Sequence, residues 1–203
     1  MDRDIEFLYE IGTLRFIPRQ WKRFLNADFA NLAEHHFRVM WLALIIAKYE
    51  KADINKVLKM ALVHDIMESR TGDADYLARQ YVKRDEELGL KDMLAKTSLE
   101  KSEFMDLWRE YEELETLEAK VVKDADLIDV DFELNEQAAN GVGLKRAWKE
   151  QRGWVSQNRF KTKTAKKLLE RLQKTDPHAW HLNGRNRLNS GDWQGHWKSK
   201  QKP

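Results

Sequence analysis

The chain has 203 residues, with three Pro, nine Gly and no Cys, and charged residues make up 34% of it. That length suits one domain with a sizeable core. The scarcity of helix breakers favours long amphipathic helices, hence an all-α fold, and the lack of Cys excludes disulfides, thiolate catalysis and Cys-ligated zinc. The net charge of +2 hides an asymmetry: residues 1–144 hold 20 Lys and Arg against 30 Asp and Glu, and residues 145–203 hold 16 against 4. An acidic body with a basic end fits intramolecular docking, subunit pairing or an anionic partner.

The opening "MDRDIEFLYE" lacks the basic-then-apolar pattern of a signal peptide, and the longest apolar run, "VMWLALIIA", is far short of the ~20 residues of a membrane helix. The expectation is a cytoplasmic protein that does not enter the membrane. A first helix is expected from Asp2 to about Ile11, stopped by Gly12. Residues 14–32 lack a clean period, contain Pro18 and carry Arg15, Arg19 and Trp21, so they read as a long structured loop of the kind that serves function. Strong helices follow at about 33–51 and at 53–69, the second with Asp53 as N-cap. Further helices are expected at 75–83 and 85–95, at 98–114 with Ser98 as cap, and at 116–140 with Thr116 as cap and "NGVG" as terminator. One more is expected at 162–174.

Within the second strong helix, "ALVHDIMESRTGD" places His64, Asp65 and Glu68 among apolar residues. On a continuous helix these three share one face, since Glu68 is four residues past His64 and three past Asp65. An unpaired buried carboxylate costs several kcal/mol or takes up a proton, and a divalent cation offsets that cost. The preceding helix offers "EHHF" and a later one "KDADLIDVD", where Asp126 lies among Val122, Leu127 and Val130. Each piece alone has an ordinary explanation: an H-D pair arises by chance, and four acids within eight residues commonly form a solvated face. Their order on three apolar-flanked helices favours a metal site.

The succession H…HD…D, with "EHHFRV", "HDIMESRTGD", "KDAD" and the upstream "LRFIPRQW", resembles the HD-domain metal-dependent phosphohydrolases, and within them the 5′-deoxynucleotidase branch. The resemblance covers roughly residues 8–140. It implies a helical bundle around one divalent transition metal (Mn, Fe, Co, Ni or Zn), held by His35, His64, Asp65 and Asp126. It further implies Glu68 as the acid–base group and Asp73 as a catalytic acid near a sugar hydroxyl. Arg15 and Arg19 fall in the phosphate-binding region, and Trp21 in the sugar-contacting region, where a bulky ring would exclude a 2′-hydroxyl. The implied reaction removes the 5′-phosphate from (deoxy)nucleoside monophosphates, and the implied assembly is a homodimer. A rival on the same site is a nucleoside triphosphate hydrolase.

The expected division is an HD domain over residues 1–175 and a basic, Trp-rich tail over 176–203. Residues 145–203 contain five of the eight Trp, at 148, 154, 180, 193 and 197. Basic groups interleaved with aromatics bind single-stranded nucleic acid by charge and stacking, which gives a reading of another class, a nucleic-acid-binding protein. The favoured reading is that Trp148, Trp154 and Trp180 pack onto the acidic body or a second subunit. His178, His181 and His196 lack neighbouring carboxylates at ligand spacing and are not expected to form a second metal site.

Overall fold

Two long helices carry the architecture of the computed structural model, which describes residues 1–25 and 28–182. Helix α3 (Leu32–Glu50) lies against α8 (Leu117–Ala139), and α4 (Ile54–Val63) packs on both. α7 (Phe104–Glu113) closes over α4 and α8, while α11 (Lys163–Leu172) and the short α9 (Leu144–Ala147) cover the remainder of α8. α1 (Asp2–Gly12) and α6 (Glu86–Leu94) complete the body around Leu32, Ile46, Met60, Met67, Leu90, Met93 and Ile128, all essentially inaccessible to solvent. No strand forms among the described residues; Pro18 and Asn31 make an isolated β-bridge. No described helix is long and apolar enough to cross a membrane.

Local chemistry sets the ends of these helices. Asn31 accepts a bond from the Glu34 N–H while the Glu34 carboxylate accepts from the Asn31 N–H, a capping box that starts α3 one residue before the expected Ala33. Asp53 caps α4 through the N–H groups of Asn55 and Lys56, and Thr116 caps α8 through Ala119. Past α8, Gly141 takes φ +85°, a left-handed turn natural to glycine. Gly12, by contrast, is helical and passes straight into a 3₁₀ turn at Thr13–Phe16.

Three expected elements differ, and one helix is added. The helix expected over 53–69 ends at Val63, because the His64 ring takes the Ala61 carbonyl at 2.8 Å. The N–H groups of Glu68, Ser69 and Arg70 then bond to carbonyls three residues back, a tighter turn leading into the short α5 (Glu68–Thr71). The expected 75–83 helix reduces to a 3₁₀ turn at Ala78–Gln80, since Tyr81 and Val82 are exposed and nothing buries a longer helical face. Ser98 does not cap a helix: its N–H bonds to Asp4 at 2.6 Å, and α7 begins only at Phe104. Residues 149–158 form a helix, α10 (Lys149–Asn158), that the sequence pattern did not announce.

The 14–32 loop is ordered where described. It contains α2 (Lys22–Leu25) and is tied back by Arg19 N–H to Ala30 C=O (3.0 Å) and Leu32 N–H to Ile17 C=O (2.9 Å). Phe29, Val130, Leu134 and Leu144 form a satellite core under it, with Trp21, Phe24 and Trp148 packed alongside. Trp148 thus packs onto the body as favoured, whereas Trp154 and Trp180 are exposed. The last short helix, α12 (Ala179–Leu182), ends the described chain, so Trp193, Trp197, His196 and the rest of 183–203 lie outside the described residues, as does the side chain of His181.

Candidate active site

Helices α3 and α8 and the turn after α4 bring His35, His64, Asp65 and Asp126 together. One ligand atom from each lies within 4.8 Å of every other. His35 Nε2 is 3.6 Å from Asp126 and 3.8 Å from Asp65, and His64 Nε2 is 3.4 Å from Asp65. Both histidines are fully buried, and neither Nε2 has a hydrogen-bond partner among the described residues. Their other nitrogens are committed. His35 Nδ1 faces Asp129 at 2.7 Å and His64 Nδ1 faces the Ala61 carbonyl at 2.8 Å, so each ring keeps its Nδ1 proton there and turns Nε2 into the cluster. Two buried ring nitrogens without hydrogen-bond partners, beside two carboxylates, suit a borderline divalent transition metal, which displaces any proton held there. His36 is the neighbour left out: its ring packs on that of His64 with centroids 4.5 Å apart, and burial with the nearby His64 and His35 lowers its pKa.

The electrostatics keep the two carboxylates of the cluster ionised. Burial alone would raise Asp65 and Asp126, but His64 and His35 with Lys123 outweigh it at Asp65, and Lys123 with the two histidines does so at Asp126. Lys123 donates to Asp126 Oδ2 (3.0 Å) and to the buried Tyr111 hydroxyl (2.9 Å). At His35, burial and Arg19 oppose a second proton, yet Asp129 and Asp65 bring the pKa up to about 9. Asp129 is in turn gripped by the Arg38 guanidinium. The acidic run of α8 is therefore no solvated face: Asp124 accepts the N–H groups of Lys161 and Thr162, Asp131 pairs with Arg152, and Glu133 accepts the Ala30 N–H.

Beside the cluster opens a cleft of about 250 Å³, lined by Asp65, Asp126, Glu68, Asp73, Arg19 and Trp21 among others. Gly72, at φ +74°, makes the turn that separates Glu68 from Asp73. Arg19 is buried with Nη1 3.4 Å from Asp73, which also accepts the Gln20 N–H; Arg19 Nε has no partner among the described residues. Trp21 lies in an aromatic group with Tyr76 and Trp148, and its indole N–H is likewise unpartnered. Glu68 keeps one oxygen on Arg84 (2.9 Å) and one unpaired; burial first, then Asp65 and Asp73, raise its pKa well above the ordinary carboxylate value. Arg15 is not brought to this cleft. It is exposed, lies over Phe16, and faces a separate hollow with Lys22, Glu34 and Arg38.

Sequence reasoning missed Asp129, Arg38 and Arg84. The first had a signal, since it follows Asp126 by three residues on the same helix; the two arginines had none, because the chain separates each from its partner and only the fold joins them.

The sequence matches the family model described as HD domain over residues 11–169. Among curated proteins it is 31% identical over 137 residues to the 5′-deoxynucleotidase HDDC2 of Bos taurus, covering 65% of this chain and 66% of that one, just under two thirds of its length. It is 28% identical over 180 residues to the protein of the same name from Dictyostelium discoideum, covering 80% and 95%. Among solved structures it resembles the PH0347 protein of Pyrococcus horikoshii (TM-score 0.67, 27% identity, 84% of this chain and 98% of that one). It also resembles a predicted metal-dependent phosphohydrolase from Magnetospirillum magnetotacticum (TM-score 0.57, 25% identity, 85% and 90%). A family match that spans most of the chain, on a fold whose two longest helices supply His35 and Asp126, makes this protein a member of the HD domain family.

Proposed function

We propose that this chain is a metal-dependent phosphohydrolase that removes the 5′-phosphate from deoxynucleoside monophosphates. One observation carries the reading: His35 Nε2, His64 Nε2, Arg19 Nε, Trp21 Nε1 and Glu68 Oε2, all in the cluster or its cleft, are buried polar atoms with no partner among the described residues. Each unpaired buried group costs about 1–3 kcal/mol, so five together mark groups kept for a ligand. The names of the curated relatives point the same way.

His35, His64, Asp65 and Asp126 would hold the cation, which when bound supplies Lewis acidity toward a phosphoryl oxygen. Arg19, fixed by Asp73, binds the remaining phosphoryl oxygens and neutralises the charge that builds in the transition state. Glu68, held protonated by burial and its acidic neighbours, gives its proton to the 5′-oxygen as the P–O bond breaks. A water molecule adds to phosphorus from the opposite side and its proton passes to the departing phosphate, while Glu68 regains a proton from solvent. The products are a nucleoside and orthophosphate. Trp21 stands beside the sugar as the barrier to a 2′-hydroxyl, and Asp73 accepts the 3′-hydroxyl.

The active form is a homodimer in this proposal. Phe37, Trp41, Ile45 and Tyr49 recur every four residues along α3, and Ile54, Leu58 and Leu62 do so along α4; all are exposed. Two neighbouring apolar stripes of this kind exceed the scattered apolar residues of a monomer surface and mark an association face.

The reading is tested by incubating protein reconstituted with Mn or Co with deoxy- and ribonucleoside mono- and triphosphates. Orthophosphate and nucleoside from the deoxy monophosphates are expected. Inorganic triphosphate released from triphosphates, with monophosphates inert, would replace this substrate with the rival one.

A further inference from the structure

The cleft has one wall that no family motif supplies. α10 presents Gln151, Arg152 and Val155 to it at helical spacing, with Trp154 at its rim. Arg152 anchors the helix to the body through a two-bonded pair with Asp131 (3.0 and 2.6 Å) and a bond to the Leu127 carbonyl (2.7 Å). Trp154 is therefore held in place by its helix, although its own side chain is 57% exposed.

An exposed Trp on an anchored helix at a cleft mouth needs a reason. The cleft volume of about 250 Å³ falls below the ~300–1,000 Å³ usual for small-molecule pockets. It accommodates a phosphate and a sugar; a base attached to that sugar comes out at the rim. Two large exposed aromatics line the rim, Tyr76 and Trp154. Tyr76 is engaged: its ring stacks on Phe24 at 5.4 Å with an interplanar angle of 8° and meets Trp148 edge-on. Trp154 has no ring partner among the described residues.

We infer that Trp154 is the platform on which the nucleobase of the substrate stacks. The inference rests on the nucleotidase reading above and adds to it a residue that recognises the base. Every base has a π-face, so stacking of this kind grips without selecting strongly by hydrogen bonds. The chain would then accept all four deoxynucleoside monophosphates, with the larger purine rings held more tightly.

The test compares wild type, Trp154→Ala and Trp154→Phe, each metal-loaded, on deoxyadenosine 5′-monophosphate, deoxycytidine 5′-monophosphate and deoxyribose 5-phosphate, which lacks a base. In Trp154→Ala, KM for the nucleotides rises about tenfold, the scale of one lost base–aromatic stack, and rises more for the purine. kcat holds, and KM for deoxyribose 5-phosphate is unmoved. Trp154→Phe stays near wild type. An equal rise for the sugar phosphate, or no rise for either nucleotide, overturns the inference while leaving the nucleotidase reading intact. Wild type inert toward all three overturns the reading and the inference together.

Discussion

His35 Nδ1 and Asp129 Oδ2 lie 2.7 Å apart in the protein interior, and this contact sets which face of the ring the cluster receives. With the Nδ1 proton committed to Asp129, Nε2 is the nitrogen turned toward Asp65 and Asp126. In the proposed site Asp129 is thus a carboxylate that orients a ligand without being one. Replacing it with Asn weakens the charge while keeping the shape. A loss of 10- to 100-fold in Mn affinity is expected, the usual cost of removing such a support, with the fold retained. Unchanged affinity in a calorimetric titration would mean that the contact is only structural.

The same pair makes metal binding depend on pH. Asp129 and Asp65 overcome burial and lift His35 to a pKa of about 9, so below that pH the metal-free ring carries a second proton, on Nε2. A cation must displace it. Affinity therefore falls as pH drops below about 9, by about tenfold per unit, and roughly one proton is released on binding at pH 7.5. Titrations in two buffers of different ionisation heat count that proton; a count of zero contradicts the assignment. Asp65 and Asp126 are already ionised at this pH and add nothing to the count.

Glu68→Gln is expected to bind Mn as wild type does and to lose about 10²- to 10⁴-fold in kcat, the range for removing a general acid. Metal content by mass spectrometry and turnover on one sample separate the two effects. Near-normal turnover would remove Glu68 from the reaction.

Arg84 donates to Glu68 at 2.9 Å and to the Gly72 carbonyl at 2.6 Å, joining the acid to the turn that carries Asp73. Its charge favours the ionised form of Glu68 and so opposes the rise that burial causes. An acid acts only while protonated, so activity falls as pH rises through its pKa. Arg84→Met removes the opposition, and the basic limb of the pH–kcat profile moves to higher pH. A lower plateau with an unmoved limb would leave Arg84 a purely structural role.

On the outer face, Trp41→Glu places a charge amid the exposed stripe of Phe37, Ile45 and Tyr49. Sedimentation velocity is expected to show a dimer for wild type and a monomer for the variant. A wild type that is monomeric at micromolar concentration would reject the association face.

How far the sequence carried this site differs from residue to residue. His35, His64, Asp65 and Asp126 do meet, but the helical face invoked for His64, Asp65 and Glu68 does not exist as a continuous surface, because the helix ends at Val63. The motif positions were legible; the local geometry was not, since the bond from the His64 ring back to the Ala61 carbonyl leaves no mark in the apolar period. Caps at Asp53 and Thr116 were legible because their partners lie two or three residues away. The apolar residues around Asp126 implied that part of the acidic run on α8 turns inward, but the partners of Asp124, Asp129 and Asp131 were not legible, because His35, Arg38, Arg152 and Lys161 are distant in the chain. α10 escaped notice for a simple reason: it has no buried residue, so it leaves no apolar period to detect. Arg15 and Arg19 looked equivalent in "LRFIPRQW", and only the backbone bonds that pin Arg19 to Ala30 turn one inward and leave the other outside.

The most direct measurement is an anomalous difference map from crystals of the Glu68→Gln protein soaked in Mn and a deoxynucleoside monophosphate. One strong peak is expected among His35, His64, Asp65 and Asp126, with the phosphate between it and Arg19. A peak on other residues, or the phosphate bound away from the ion, would contradict the proposed site.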